Sequence, residues 1–259
     1  MSDGVLRSPQ VRALVRLVNE AHELPRQQDA RSRHLLSGMC RILGADTGTC
    51  VLEHDFRPDG RGGFTPIALE GWGGSARSAL EGMQELGSAS NPAIRWLMDH
   101  PAVPGGIITA MRQELVDDNV WYCAPYVEQY LRPTDLDDLV LSCRWSELPG
   151  VVQGICLHRG RGGRPFDAAD RELLHLFHAE CGPLLGLAPR AAAIRDVRLA
   201  PRERQTLELL LRGLGDKEIA AELGISRFTV NQYTKAIYRR FGVRSRTALI
   251  AGMLGGGRG

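Results

Sequence analysis

Residues 216–226 read DKEIAAELGIS and decide the fold of the last quarter of this 259-residue chain. Apolar residues recur at helical spacing as far as Leu223, and Gly224 then ends the helix, because glycine is favoured just past a helix C-terminus. We expect Asp216 to cap the start of this helix and Ser226 to cap the start of the next one. The stretch therefore predicts two helices joined by a tight turn, a helix-turn-helix.

The flanking residues add a helix on each side of this stretch. Upstream, Pro201 and Glu203 begin a helix that ends before Gly213, since proline suits the first helical position and an acid suits the positive end of the helix dipole. Downstream, residues 227–241 predict a third helix with one apolar stripe. The stripe expected to be buried holds Val230, Tyr233 or Thr234, Ile237 and Phe241.

The opposite stripe of the third helix carries residue types that read DNA. Asn and Gln can bond bidentately to adenine in the major groove, and Lys can donate to guanine. We therefore expect Asn231, Gln232 and Lys235 to contact bases, while cationic and hydroxyl side chains near helix ends contact phosphate. The expected phosphate contacts are Lys217, Arg227, Thr229, Tyr233, Arg239, Arg240 and Arg246.

The charge distribution agrees with a polyanionic partner. Residues 196–254 hold 11 Lys or Arg against 6 Asp or Glu, whereas residues 1–195 hold 20 against 24. No acidic residue follows Glu222. A charged helix face by itself is usually only solvated, but here it coincides with the turn and with the Asn, Gln and Lys group. Together these features predict nucleic-acid binding.

The same residues resemble a known family, the LuxR-type DNA-binding domain. The matching segments are LAPRER at 199–204, DKEIAAELGIS at 216–226, Thr229-Val230, Ile237-Tyr238 and FGVRSRT at 241–247. The resemblance implies an all-α, four-helix domain over residues 199–254, with the third helix in the major groove. It also implies that a fourth helix, residues 245–254, mediates dimerisation, with Leu249, Ile250 and Met253 as its contacts.

Three positions depart from the family pattern. Ala200 stands where the family usually has Ser or Thr, so the first helix lacks its side-chain cap, which is typically worth about 1 kcal/mol. Asn231 and Tyr233 stand where the family usually has Lys and His. These two changes put the target sequence in doubt but leave DNA binding as the expectation.

Residues 1–186 predict a separate α+β domain, followed by a linker at 187–198 and, after the last domain, a flexible tail at 255–259. Helical spacing appears in segments 9–23, 31–43, 91–98 and 168–185, the last capped by Asp167, and strand patterns appear in segments 49–54, 64–70, 139–145 and 151–158. This element order is similar to that of GAF- or PAS-like sensory domains. Fold analogy names no ligand.

An aromatic group in this first domain allows two interpretations. Trp121, Tyr122, Tyr126 and Tyr130 are candidates for lining a small-molecule pocket. Aromatic residues more often fill cores or interfaces, and we rank that interpretation first.

Other classes of function find no support in the sequence. The six cysteines form no CxxC pair, the histidines form no metal-ligand pattern, and there is no GxSxG, HExxH or P-loop motif, so neither a metal, a cofactor nor an enzyme is expected. No segment resembles a signal peptide or a membrane span, so a cytoplasmic location is expected.

The sequence thus predicts a bacterial transcription regulator with double-stranded DNA and a second copy of the chain as partners. RNA polymerase and an unidentified small molecule are further candidates. Two alternatives stay open: a sigma-factor-like initiation protein, and a regulator whose first domain only dimerises.

Overall fold

The computed structural model describes residues 5–24, 28–74, 76–146, 150–185, 199–211, 213–240, 246 and 249. The predicted linker at 187–198, the tail at 255–259 and most of the predicted fourth helix lie outside the described residues.

The first domain is built on a five-stranded antiparallel sheet with the strand order β2-β1-β5-β4-β3. The strands are β1 Thr47–His54, β2 Gly63–Glu70, β3 Ile107–Met111, β4 Leu136–Trp145 and β5 Val152–Gly160. β1 and β5 lie near the centre and are buried along most of their length, as expected for strands covered on both faces.

Helices cover both faces of the sheet. They are α1 Ser8–Glu23, α2 Gln28–Leu43, α3 Ala76–Leu86, α4 Pro92–Asp99, α5 Arg112–Leu115, α6 Asp118–Tyr122 and α7 Ala168–Cys181. α1, α2 and α7 form one apolar cluster with sheet residues such as Val140, and α3, α4 and α6 form a second cluster with Leu139 and Leu141. Neighbouring residues of β4 thus serve opposite faces, because side chains alternate along a strand.

The predicted α+β class of this domain is confirmed, and so are its opening helices and its closing hairpin. The last helix was predicted to run to Leu185, but α7 ends at Cys181 and a 3-10 turn covers Gly182–Leu185. Pro183 has no N–H to continue the α-helical pattern. The carbonyl of Ala179 that this N–H would have reached accepts a hydrogen bond from Arg144 instead, at 3.4 Å.

The second domain is helical, as predicted. Its described helices are α8 Pro201–Leu211, α9 Asp216–Leu223 and α10 Arg227–Arg240, and residues 246 and 249 also have helical backbone. A core of Leu207, Leu210, Ile219, Val230 and Ile237 joins the three helices. Among the described residues, no helix of the chain is long and apolar enough to cross a membrane.

One predicted helix cap is wrong. Asp216 was expected to be the N-cap of α9, but Gly215 holds that position and Asp216 is the first helical residue. The Glu218 carboxylate accepts the Gly215 N–H at 2.7 Å, and the Gly215 carbonyl accepts the Glu218 and Ile219 N–H groups at 3.0 Å. The first turn of α9 is therefore closed without the Asp216 side chain.

Candidate functional site

The turn between α9 and α10 has the geometry that the sequence predicts. Gly224 adopts a left-handed conformation, φ 63° and ψ 35°, which costs glycine little because it has no Cβ. Ser226 then accepts the Thr229 N–H on its Oγ at 3.0 Å, which confirms it as the cap of α10. The turn therefore fixes how α10 projects from the domain.

Replacing Ser226 by Ala is expected to lower the stability of the second domain by about 1 kcal/mol, since the Thr229 N–H loses its acceptor. Hydrogen exchange of the α10 amides in the full chain measures this loss. Ser226→Gly is the control, because glycine at a cap costs only a few tenths of a kcal/mol relative to serine. Equal protection of α10 in the wild-type protein and in the Ala variant would contradict the role given to the cap.

α10 separates a buried stripe from an exposed one. Val230 and Ile237 are fully buried and Thr234 is nearly so, which decides between the two residues considered for that position, since Tyr233 is only partly buried. The opposite stripe is exposed. It holds the three predicted base-reading residues and one predicted phosphate contact, namely Asn231, Gln232, Lys235 and Arg239.

The other predicted phosphate contacts differ in whether their side chains are exposed or already bonded within the protein. Lys217 and Arg227 are exposed, and the Thr229 hydroxyl lies 2.8 Å from the hydroxyl of Ser226. The guanidinium of Arg246 donates to the backbone carbonyls of Leu214, at 2.7 Å, and Leu210. Arg246 thus ties down the end of α8, a structural role that the sequence did not suggest. The side chain of Arg240 lies outside the described residues.

The residues predicted for dimerisation are described only in part. Leu249 is completely buried in the core of its own domain, so it is not available to a second copy in this structure. Ile250 and Met253 lie outside the described residues.

The start of α8 shows how the chain manages without the family's hydroxyl cap. Ala200 offers no side-chain acceptor, but its own N–H donates to the Glu203 carboxylate at 2.8 Å. Half of a capping box is therefore present.

A small cavity lies in the first domain between the sheet and the helices α3 and α4. Its volume is about 30 Å³, enough for one or two water molecules. Its walls come from β1, β4 and β5 on one side and from α3, α4 and Tyr126 on the other. The polar residues among its lining are Thr49, Glu53, Asn91 and His158.

Glu53 and His158 are both buried where a charge is costly. Burial raises the pKa of Glu53 to about 8, although a hydrogen bond from the Ser88 hydroxyl, 2.6 Å long, favours the ionised form. Burial also lowers the pKa of His158 to about 4. Both groups are therefore uncharged at neutral pH and present neutral hydrogen-bonding groups to the cavity.

The aromatic residues considered for a pocket occupy different places. Tyr126 lines the cavity. Trp121 is fully buried in the apolar cluster on the same face of the sheet, Tyr122 donates its hydroxyl to Asp137 at 2.8 Å, and Tyr130 stacks on Tyr126. Sequence reasoning missed Glu53 and His158, although a polar residue within an apolar strand pattern was the available signal.

Taken together, the turn, the capped third helix and its exposed polar face define the second domain as a helix-turn-helix DNA-binding domain. Residues 197–253 match the family described as bacterial regulatory proteins, luxR family. The match spans all the described residues of the second domain.

Two curated regulators and one solved structure are similar to this chain. The transcriptional regulatory protein UhpA of Salmonella typhimurium is 32% identical over 128 residues, 48% of this chain and 64% of UhpA. The probable HTH-type transcriptional regulator GfsR of Streptomyces halstedii is 40% identical over 60 residues, 23% of this chain and 25% of GfsR. The crystal structure of Escherichia coli SdiA is 16% identical, with 93% of this chain and 96% of SdiA covered at a TM-score of 0.44.

The alignments do not span whole relatives. The chain covers between 25% and 64% of the lengths of the curated proteins it matches.

Proposed function

We propose that this protein is a transcription regulator that binds double-stranded DNA by placing α10 in the major groove. The observation that carries the proposal is the separation along α10: the side buried in the domain holds Val230, Thr234 and Ile237, and the exposed side holds groups suited to base edges. A helix-turn-helix that presents such a face is the arrangement that reads DNA.

The residues of the domain divide into two roles in this proposal. Asn231, Gln232 and Lys235 read bases, because they lie on the exposed stripe and have the matching donors and acceptors. Lys217, Arg227 and Arg239 bind phosphates as exposed cations. Thr229, Tyr233, Arg240 and Arg246 are further proposed phosphate contacts, although Arg246 first has to release backbone carbonyls.

Base and phosphate roles predict different mutant behaviour. Asn231→Ala and Lys235→Ala are each expected to relax base preference by roughly 1–3 kcal/mol at one position of the target. Arg239→Ala is expected to weaken binding to all sequences alike and to lower the salt slope by about one unit, because one phosphate is no longer neutralised. The measurement selects a target from random duplexes with the full-length protein and then titrates each variant against that target and a scrambled duplex at several salt concentrations.

A substitution on the exposed surface of α9 serves as the control for changes in base preference. Glu222→Gln changes an exposed side chain that lies outside α10, and it should leave the selected sequence unchanged. If Arg239→Ala altered base preference while Asn231→Ala weakened all sequences alike, the two faces would be wrongly assigned. If no sequence were enriched, the function itself would be refuted.

For the first domain, we propose that a small molecule held in the cavity modulates DNA binding. Glu53, Asn91 and His158 give the cavity a few polar groups among apolar walls, as in ligand sites generally. The volume of about 30 Å³ means that the walls have to move apart for anything larger than water. The second candidate role, in which this domain only holds two copies of the chain together, needs no such movement.

One comparison separates the two roles. The full-length protein is denatured, and the small molecules that it releases are identified by mass spectrometry. The same measurement is made on a Cys156→Leu variant, because Cys156 lines the cavity and a larger side chain there fills it. A compound retained by the wild-type protein and absent from the variant supports ligand binding. No retained compound, together with dimers and DNA affinity unchanged by Cys156→Leu, supports assembly alone.

A further inference from the structure

The exposed face of α10 contains an aromatic residue that hydrogen-bonding arguments overlook. Phe228 lies in the first turn of the helix, two residues after the Ser226 cap, and 73% of its surface is exposed. It is one of six large hydrophobic residues that stand exposed in the described part of the chain, and the other five are aliphatic. An exposed phenyl ring gains nothing from the domain core.

Helix geometry places Phe228 in the middle of the reading face. At about 100° per residue, Phe228, Gln232, Lys235 and Arg239 point in nearly the same direction. Val230 and Ile237 point the opposite way, into the core, and both are fully buried. Phe228 therefore faces directly away from the domain, in the direction in which the helix would meet DNA.

The position of Phe228 along the helix favours contact with bases. In helix-turn-helix domains the N-terminal residues of the recognition helix contact base edges. Phe228 has no hydrogen-bonding group, so its chemistry matches the one apolar feature of the major groove, the C5-methyl group of thymine. Burying that methyl group against the ring is favourable, and it distinguishes thymine from the other natural bases.

We propose that Phe228 is a specificity-determining residue that reads a thymine methyl group next to the bases contacted by Asn231 and Gln232. This inference rests on the proposed DNA-binding function and adds a readout that uses no hydrogen bond. The thymine lies toward the N-terminal end of α10, because Phe228 precedes Gln232 by about one turn of the α-helix.

Uracil substitution tests the proposal, because uracil differs from thymine only by the missing methyl group. The full-length protein first selects its target from random duplexes, and each thymine of that target is then replaced by uracil in turn. We expect one uracil per half-site to weaken binding about three- to fivefold, which corresponds to leaving the ring without one buried methyl group. In Phe228→Ala that position should become insensitive to uracil.

Two further variants serve as controls. Phe228→Leu keeps an apolar side chain and should retain part of the sensitivity to uracil. Gln232→Ala should alter preference at its own base pair and leave the response to uracil unchanged. Phe228 and Gln232 are both exposed, so none of these variants should disturb folding, and the Ser226 cap that starts the helix stays in place.

The outcomes separate this proposal from the function it rests on. If a target is selected but no uracil weakens binding, or if Phe228→Ala retains the sensitive position, the assignment of Phe228 is overturned while DNA binding stands. Equal weakening of Phe228→Ala on all sequences, or a change in its oligomeric state, overturns the assignment in favour of a general or protein contact. If no target is selected at all, the proposed function fails first.

Discussion

The free energy of unfolding of the first domain is expected to pass through a maximum near pH 6.5, because burial shifts the pKa values of two histidines and of one glutamate in opposite directions. Burial lowers the pKa of His158 to about 4 and that of His178 to about 3. Burial raises the pKa of Glu53 to about 8. The ordinary values are 6.5 for histidine and 4.5 for glutamate.

The sign of each contribution follows from which state binds more protons. Below pH 6.5 the unfolded chain protonates both histidines while the folded chain does not, so stability falls as the pH is lowered toward 4. Above pH 6.5 the unfolded chain has already lost the Glu53 proton, and the folded chain keeps it up to about pH 8. Stability therefore also falls on this side, by about 1.4 kcal/mol per pH unit.

Glu53→Gln isolates the upper half of this profile. The amide oxygen can still accept the hydrogen bond of Ser88, and the amide does not titrate. We expect the free energy of unfolding of the variant, relative to that of the wild-type protein, to rise by about 2 kcal/mol between pH 6.5 and pH 8. Glu81→Gln is the matched control, because Glu81 is exposed in a surface ion pair with Arg77.

Tryptophan fluorescence measures this transition in the full-length protein. The four tryptophans of the chain, Trp72, Trp96, Trp121 and Trp145, all lie in the first domain, so the signal follows that domain alone. A Glu53→Gln profile that falls above pH 6.5 as steeply as that of the wild-type protein would show that Glu53 is not the titrating group.

The second large effect concerns Asp170, a completely buried carboxylate in the first turn of α7. It accepts hydrogen bonds from Arg7 at 3.0 Å, Arg159 at 3.2 Å and Arg164 at 2.8 Å. Arg159 is itself nearly buried, beside the ring of Phe166 at 3.8 Å. The cluster joins the start of α1, the end of β5 and the start of α7.

Asp170→Ala is expected to lower the free energy of unfolding of the first domain by about 3–5 kcal/mol, because it leaves the buried Arg159 charge without its carboxylate. Denaturant titration followed by tryptophan fluorescence measures the loss. Arg77→Ala breaks an exposed pair and should cost at most about 1 kcal/mol. If Asp170→Ala also lowered the free energy of unfolding by at most about 1 kcal/mol, the cluster would stabilise the domain no more than a surface ion pair does.

Sequence reasoning succeeded where local signals agree with the fold. The second domain combines capping residues, helical periodicity and a glycine turn, and the structure has its three described helices within a residue or so of the predicted limits. The exception, Asp216, arose because glycine can also occupy an N-cap position, and Gly215 does so one residue earlier.

It failed where tertiary packing overrides local preference. α3 was not predicted, since Gly82 in its interior disfavours a helix. The structure explains this glycine, because a Cβ there would lie 2.2 Å from the ring of Tyr130. β3 was also missed. It has only five residues, lies at the edge of the sheet and is mostly half-buried, so its pattern is weak.

One part of the candidate site could be predicted from the sequence and another part could not. The exposed stripe of α10 could be deduced from helical periodicity, whereas the cavity could not, because its lining comes from strands and helices far apart in the sequence. The role of Arg246 was equally hidden, since its carbonyl acceptors lie more than thirty residues upstream.

Guanine N7 methylation interference tests the central claim, that α10 reads DNA in the major groove, most directly. N7 of guanine lies in the major groove and N3 of adenine in the minor groove, and both can be methylated in the selected target. Methylation of N7 at one or more guanines should prevent binding of the full-length protein, whereas methylation of adenine N3 should be tolerated. With Lys235→Ala, methylation at one of those N7 positions should no longer interfere with binding. Interference at adenine N3 alone, or an N7 pattern that Lys235→Ala leaves unchanged, would contradict the account.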